Sequence, residues 1–158
     1  MEINYVSAFV FAFIATCGFG FIIQVPFKAI PTSGIIGAIG WVVFVYISKG
    51  FGHSTVYANF TATVVVAVLS ELFARLMKQP VNVYVIPGVI PLVPGLGMYN
   101  GMTKILSRHF EYGMSILMQA CSDAGAIAMG MMLVTSIFRM IKISKEQKSI
   151  AELLKRQK

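Results

Sequence analysis

Five long apolar segments, separated by short polar turns, make up most of the chain. About 20 apolar residues in a helix cross the hydrocarbon core of a bilayer. We therefore predict membrane-spanning helices over residues 5–24, 33–48, 55–76, 82–106 and 112–138. The second segment is short and carries glycine at Gly34, Gly37 and Gly40, so it either lies partly at the membrane interface or packs tightly against a neighbour. The predicted fold is an all-α, polytopic transmembrane bundle of about five helices.

The fourth segment contains three prolines and three glycines within residues 86–97 of an otherwise apolar run. Proline has no N–H and clashes with the carbonyl four residues before it, so Pro87, Pro91 and Pro94 interrupt a helix. The carbonyls of Val83, Pro87 and Ile90 would then lose their helical donors. Irregular backbone at bilayer depth is tolerated where it is buried in protein or lines a water-filled cavity, as in the broken helices of transporters. The segment predicts a proline-broken helix beside a solute pathway.

The composition supports a membrane protein and excludes several other classes. With 57% hydrophobic and 12% charged residues and a mean hydropathy of +0.78, the chain is too apolar for an ordinary soluble domain. The net charge of +7 does not indicate nucleic-acid binding, because most basic residues follow the last apolar segment and no recognition motif accompanies them. Cys17, Cys121, His53 and His109 lack the spacing of metal ligands or of a nucleophile with its base, so we expect no metal, cofactor or enzymatic activity.

The lysines and arginines favour a cytoplasmic C-terminus. If all five segments span, this orientation puts ten of the 13 basic residues inside and three outside, whereas a re-entrant fourth segment gives eight and five. We divide the chain into a transmembrane bundle, residues 1–143, and a basic tail, residues 144–158. The tail is predicted to be an amphipathic helix on the membrane surface or on a partner; the alternative is a frayed, solvated end.

Asp123 is the one acidic residue well inside a predicted span. A carboxylate at the bilayer centre costs about 2.5–3.5 kcal/mol on insertion scales. Ser115, Gln119, Ser122 and Asp123 fall near one helical stripe. The stripe predicts a polar lining that contacts a solute, an ion or a proton; the alternative is an interhelical hydrogen bond or a buried pair with a basic residue of another helix.

The third segment also has a polar face, with Thr55, Asn59 and Thr63 one helical turn apart. Threonine hydroxyls in membrane helices often bond their own backbone, so this face indicates packing as readily as a solute path; Asn59 has fewer local partners. Glu71 and Arg75 are four residues apart, which predicts an ion pair at the membrane interface.

The proline break and the polar stripes together define the candidate site. After the break, Gly95 can begin a half-helix whose N-terminal N–H groups, near Leu96 to Met98, point at an anionic group such as a substrate carboxylate. The candidate residues of the substrate path are Asp123, Gln119, Asn59, Pro87, Gly88, Pro91, Pro94 and Gly95.

The proline segment, together with the motifs before it, resembles the threonine/serine exporter family, and more closely its short, separately encoded membrane subunit. The similar positions are Ala74-Arg75, Lys78-Gln79-Pro80, Ile86-Pro87-Gly88-Val89-Ile90-Pro91-Leu92-Val93-Pro94-Gly95 and Tyr99, with Gly18-Phe19-Gly20-Phe21 and Val25-Pro26 earlier. The resemblance implies export of small amino acids or, for two-subunit members, of dicarboxylates such as succinate from the bacterial cytoplasm. It also implies a larger partner subunit that supplies the half found in single-chain members. Gln24 departs from the small polar residue expected before Pro26.

Two hypotheses of function follow. In the first, the chain is an inner-membrane transport subunit that acts with the larger partner and binds a small carboxylate-bearing substrate, with a homo-oligomer as a further possibility. In the second, it is a non-conducting structural or regulatory subunit that stabilises the partner. We expect the lipid bilayer, and not nucleic acid, as its environment.

Overall fold

The computed structural model describes the backbone of residues 4–156 and the side chains of residues 4–141. The helices are, in chain order, α1 (Tyr5–Ile22), α2 (Ile30–Val45, continued by a π-helical turn, Tyr46–Gly50), α3 (Thr55–Met77), α4 (Asn82–Val89, continued by a 3₁₀ turn, Ile90–Leu92), α5 (Gly95–Leu106) and α6 (Phe110–Arg156). The described part of the chain is all-α, as predicted. The side chains of the predicted amphipathic tail, residues 144–158, lie outside the described residues.

Polar side chains begin two of the spanning helices. The Asn4 carboxamide oxygen accepts hydrogen bonds from the N–H groups of Val6 and Ser7 at the start of α1. Ser54 caps α3 in the same way. Such N-caps satisfy N–H groups that have no acceptor within the helix. α3 ends where Lys78 takes a left-handed conformation, with φ of 52°.

α2 lies at the centre of the bundle, in contact with α1, α3 and α4. Its three glycines allow close approach, because a Cβ added at each would press on a side chain of a neighbouring helix. These contacts join Gly34 to Cys17, Gly37 to Thr16, and Gly40 to Val66. The tight-packing interpretation of the second segment is therefore confirmed. The span from Ile30 to Gly50 is also more buried in the protein than α1, at 44% against 17%; its depth in the membrane stays a prediction.

α3 and α6 pack side by side and run in the same direction. Three contacts follow the same order along both helices, joining Thr55 to Asp123, Thr63 to Gly130, and Arg75 to Phe138. A re-entrant segment between two spanning helices would make them antiparallel. α4 and α5 together therefore carry the chain across the bundle as one broken crossing, bent by 43°. The predicted bundle of about five helices with a broken fourth is confirmed.

The break lies at Val93 and Pro94, where Val93 is extended (φ −61°, ψ 128°) between the 3₁₀ turn and α5. Two of the carbonyls expected to lack donors are in fact satisfied. The N–H of Ile90 donates to the Pro87 carbonyl, and the N–H of Val93 donates to the Ile90 carbonyl at 3.2 Å. The 3₁₀ turn supplies these bonds because in it each carbonyl accepts from the N–H three residues later, and not from the N–H four residues later, which a proline would lack.

The two ends of the bundle differ in chemistry. At the α3–α4 end, Arg75 pairs with Glu71 at 3.7 Å and lies 4.8 Å from the Phe138 ring centroid, so the predicted ion pair is confirmed. The other end carries a chain of neighbouring aromatic rings, formed by Tyr5, Tyr46, Phe51, His53 and Tyr57. Aromatic side chains of this kind concentrate at membrane–water interfaces.

Candidate functional site

A cavity of about 300 Å³ opens between the beginning of α5 and the first third of α6. We call it the Asp123 cavity; it is lined by Pro94, Gly97, Ser115, Ile116, Gln119, Ala120 and Asp123. The proline break supplies one wall and the polar stripe of α6 supplies the other. Asp123 is the one lining residue that carries a formal charge.

Asp123 is held by a triangle of hydrogen bonds between α3 and α6. The Thr55 hydroxyl donates to Asp123 Oδ1 at 2.9 Å, and Gln119 Nε2 donates to the same oxygen at 3.3 Å. Gln119 also donates to Thr55 Oγ1 at 2.8 Å. The Asp123 side chain is only 8% exposed, and both carboxylate bonds go to Oδ1. Among the described residues no group donates to Oδ2, so this oxygen remains available to a ligand.

Two helix N-termini lie beside the carboxylate. α3 begins at Thr55, so its positive dipole end stabilises a negative charge at Asp123. α5 begins at Gly95 and is not capped by a side chain. The N–H groups of Leu96 and Gly97 in its first turn have no acceptor within the helix. The cavity thus has one carboxylate and one uncapped helix N-terminus, which can attract an anion.

The contact of Asp123 with Thr55 sets its level in the bundle. Asp123 lies level with Thr55, the first residue of α3, and close to the end of the bundle that carries the aromatic rings. From Thr55 to Arg75 the helical rise is about 30 Å, the thickness of a bilayer core. The cavity therefore lies at the level where α3 begins, about 30 Å along the helix axis from the level of Arg75.

The predicted site residues fall into three groups. Asp123, Gln119 and Pro94 line the cavity, and Gly95 follows directly after Pro94. Asn59 lies one helical turn beyond Thr55 and is 3% exposed. Pro87 and Gly88 of α4 are buried, and a Cβ at Gly88 would come within 3.1 Å of Val66 on α3. Pro91 is half-buried in the 3₁₀ turn. The role of each in a substrate path stays a prediction.

The stripe predicted on α6 is correct for Ser115, Gln119 and Asp123, which share the cavity wall. Ser122 does not line this cavity; it is exposed and donates its hydroxyl to the Met118 carbonyl. The spacing of Thr55, Asn59 and Thr63 predicts a polar face on α3, but it does not predict that Thr55 bonds Asp123. Its spacing signal was present in the sequence, but 68 residues separate the two side chains.

Comparison with known proteins identifies the family. The family model described as "Threonine/Serine exporter, ThrE" matches residues 8–137. A Haemophilus influenzae protein described as "Uncharacterized protein" is 28% identical over 137 residues, which cover 81% of this chain and 46% of the relative. The chain thus spans about half the length of this curated relative, and no solved structure matches it. The chain belongs to the Threonine/Serine exporter (ThrE) family of membrane transport proteins.

Proposed function

We propose that this chain is a transport subunit that exports a small amino acid of the threonine or serine type by alternating access, with the Asp123 cavity as part of the binding site. The observation that carries the proposal is the buried Asp123 carboxylate facing the uncapped N-terminus of α5 across one cavity. Asp123 Oδ2 would bind the substrate ammonium, and the N–H groups of Leu96 and Gly97 would bind its carboxylate. The volume of about 300 Å³ suits a small ligand.

The charge of the cavity favours an amino acid over a dicarboxylate. A zwitterion presents one positive and one negative group, which match Asp123 and the α5 N-terminus. A succinate-like substrate would bring two negative groups to a lining whose one formal charge is negative. Without a basic side chain, the second carboxylate would remain uncompensated in a partly desolvated site.

A larger partner subunit is supported by the length of the apolar surface. The apolar part of α6, Phe110–Ile141, has 32 residues and a length of about 48 Å, against about 30 Å for a bilayer core. A tilt of about 50° would be needed to bury it, beyond the usual range of 0–40°. Its first turns extend past the beginning of α3 and pack on α5. The outward side of α5 exposes Leu96, Tyr99, Met102 and Leu106.

We assign this exposed face to the polypeptide that corresponds to the remainder of the longer relative. A photo-crosslinker in place of Tyr99 should capture a different membrane polypeptide in the native host, whereas one in place of Phe11, equally exposed on α1, should contact lipid. Capture of a second copy of this chain would indicate a homo-oligomer instead. Lipid contact at both positions would remove the partner from the proposal.

The orientation supports export from the cytoplasm of a bacterial inner membrane. Lys28, Lys78 and Arg139 belong to the same end of the bundle as Arg75, and positively charged ends face the cytoplasm. In this orientation the Asp123 cavity lies near the outer interface. Transport would then deliver the substrate past Asp123 as it leaves.

Substitution of Asp123 tests the transport function. In reconstituted vesicles that contain the chain with its partner, Asp123→Asn should reduce the rate of threonine counterflow at least tenfold. The substitution keeps an oxygen that accepts from Thr55, so the interhelical contact and assembly should survive. The matched control is Glu71→Gln, which removes the carboxylate at the opposite end of α3 and should leave counterflow unchanged. Full counterflow in Asp123→Asn would exclude Asp123 from the mechanism, and succinate flux without threonine flux would refute the substrate class.

The second candidate, a structural subunit that does not line the route, is favoured by the closed hydrogen-bond triangle of Thr55, Gln119 and Asp123. In that case the carboxylate joins α3 to α6 and has no substrate to bind. Asp123→Asn, which keeps the oxygen that accepts from Thr55, would then leave assembly and flux unchanged, whereas Asp123→Ala would weaken assembly with the partner and reduce flux in proportion. Size-exclusion chromatography of the complex, measured beside flux, separates the two functions.

A further inference from the structure

Four buried polar atoms inside the bundle have no hydrogen-bond partner among the described residues. They are Asn59 Oδ1, Thr63 Oγ1 and Ser70 Oγ on α3, and Tyr84 Oη on α4. Asn59 is 3% exposed and the other three side chains are completely buried. Buried polar groups in native proteins are almost always bonded, and those without a protein partner usually bind internal water.

The missing bonds are specific to these side chains and are not a general property of hydroxyls in this bundle. Thr16, Ser33 and Thr61 each donate to a carbonyl of their own helix three or four residues earlier. Thr63 and Ser70 could make the same bond. Their hydroxyls instead have no protein acceptor, which leaves them free to bond water in the bundle interior.

The four atoms form two groups along α3. Asn59 and Thr63 follow Thr55 at one-turn intervals and so continue inward from the Asp123 cavity. Ser70 lies further along α3, toward its C-terminal end. Tyr84 belongs to the same level, because α4 runs antiparallel to α3 from their short turn and the Gly88 contact with Val66 sets the register.

Val66 separates the two groups. It is completely buried and lies between α2 and α4, where a Cβ added at Gly40 would overlap it and one at Gly88 would lie 3.1 Å from its Cγ1. Ile36 closes the same region, since the Gly88 Cβ would be 3.3 Å from Ile36 Cγ2. The layer around Val66 is therefore apolar and tightly packed.

We propose that Asn59 and Thr63 bind one group of ordered water molecules, that Ser70 and Tyr84 bind a second, and that Val66 is the dry barrier between them. The first group is continuous with the Asp123 cavity, and the second is reached from the α3–α4 end. The proposal rests on the proposed function in one respect. In a transporter, the barrier at Val66 is the layer that must open when the binding site changes its access from one side of the membrane to the other. Movement of α4 would open it, because Gly88 of α4 packs against Val66.

Cysteine accessibility to Ag⁺, a small cation that reacts with thiols in water-filled spaces, tests the proposal. The full-length chain is expressed in membranes with Cys17 and Cys121 replaced by Ala, and single cysteines are introduced as Thr63→Cys, Ser70→Cys and Val66→Cys. Ag⁺ is added to one side of oriented vesicles, and the remaining thiols are then counted with a maleimide after denaturation. Thr63→Cys should react at least tenfold faster from the Asp123 side, Ser70→Cys from the opposite side, and Val66→Cys from neither.

The matched control is Thr61→Cys, at a position of the same helix whose hydroxyl bonds its own backbone; it should be as unreactive as Val66→Cys. If Thr63→Cys and Ser70→Cys react no faster than Val66→Cys, the interior is dry and the proposal is wrong. Rapid reaction of Val66→Cys from both sides would also overturn it, because there would be no barrier.

X-ray radiolysis of the unsubstituted protein provides a second measurement that does not depend on folding of the variants. Radicals formed from bound water should oxidise the buried Tyr84 together with the exposed Tyr99. An unmodified Tyr84 beside a modified Tyr99 would exclude the second water group. If either water test fails, threonine flux through the unsubstituted chain still supports the transport function. Conversely, the result of the Asp123→Asn flux assay does not change the accessibility pattern. The two proposals can therefore be refuted separately.

Discussion

Replacement of Gly113 by alanine tests the packing that holds α5 beside α6. A Cβ at this position would lie 2.7 Å from the Gly101 carbonyl oxygen, 2.7 Å from Ile105 Cγ1 and 2.8 Å from the Ile105 backbone nitrogen. Two of these three atoms belong to the backbone of α5, so no side-chain rotation relieves the overlap. α5 would have to move away from α6, and the N-terminus of α5 at the Asp123 cavity would move with it.

The magnitude follows from the distances. Reaching ordinary van der Waals contact at 3.4 Å from 2.7 Å requires a shift of about 0.7 Å. Overpacking of this kind typically costs about 1–3 kcal/mol, while alanine gains about 0.8–1.0 kcal/mol over glycine in a helix. Gly125→Ala in the same helix has the same gain in propensity and no atom within 4 Å of the new Cβ. The difference between the two variants therefore isolates the packing cost of about 1–3 kcal/mol.

Thermal unfolding of both purified variants in the same detergent measures this difference. At about 2–4 °C per kcal/mol for a chain of this size, Gly113→Ala should melt about 2–12 °C below Gly125→Ala. Equal melting temperatures would refute the close α5–α6 contact. Without that contact, the position of the α5 N-terminus at the Asp123 cavity would also lose its support.

Two further predictions concern the contacts that join the other helices. Thr55→Val removes the hydroxyl bonded to the buried Asp123 carboxylate and should lower the free energy of unfolding by about 1–3 kcal/mol. Thr55→Ser keeps the hydroxyl and should have wild-type stability. Equal denaturation curves for the two variants would contradict the hydrogen-bond triangle. Gly37→Ala should destabilise the α1–α2 contact through overlap with Thr16, and the added substitution Thr16→Ala should recover much of the loss in a double-mutant cycle; additive effects would show that the two residues do not touch.

Much of the fold could be predicted from the sequence because it depends on local signals. Hydropathy predicts the third segment over residues 55–76, and the helix is Thr55–Met77 with Ser54 as its N-cap. The second segment was predicted too short. The predicted start is residue 33, whereas α2 begins at Ile30 with Pro31 in its first turn, where proline is tolerated.

The candidate site could be predicted only in part. The stripe of Gln119 and Asp123 follows from helical periodicity, and the break at Pro94 follows from the chemistry of proline. The pairing of Asp123 with Thr55 depends on the register of two helices that are distant in the chain, and this register is set by packing. The carbonyl of Pro87 was expected to lack a donor because a 3₁₀ turn was not anticipated.

The broken helix joins two separate packing units. α4 packs against α1, α2 and α3, whereas α5 packs against α6, so the extended residue Val93 connects two units whose other shared interface is the extensive contact of α3 with α6. The α3–α6 interface is the remaining link, and the Thr55–Asp123 hydrogen bond lies at its end nearest the cavity. A ligand cation bound to Asp123 Oδ2 would share the carboxylate with the Thr55 hydroxyl and Gln119, which both donate to Oδ1. Because the Thr55–Asp123 hydrogen bond belongs to the α3–α6 interface, a ligand at Asp123 acts on the contact that joins the two units. A carboxylate elsewhere on α6 would not link binding to this contact.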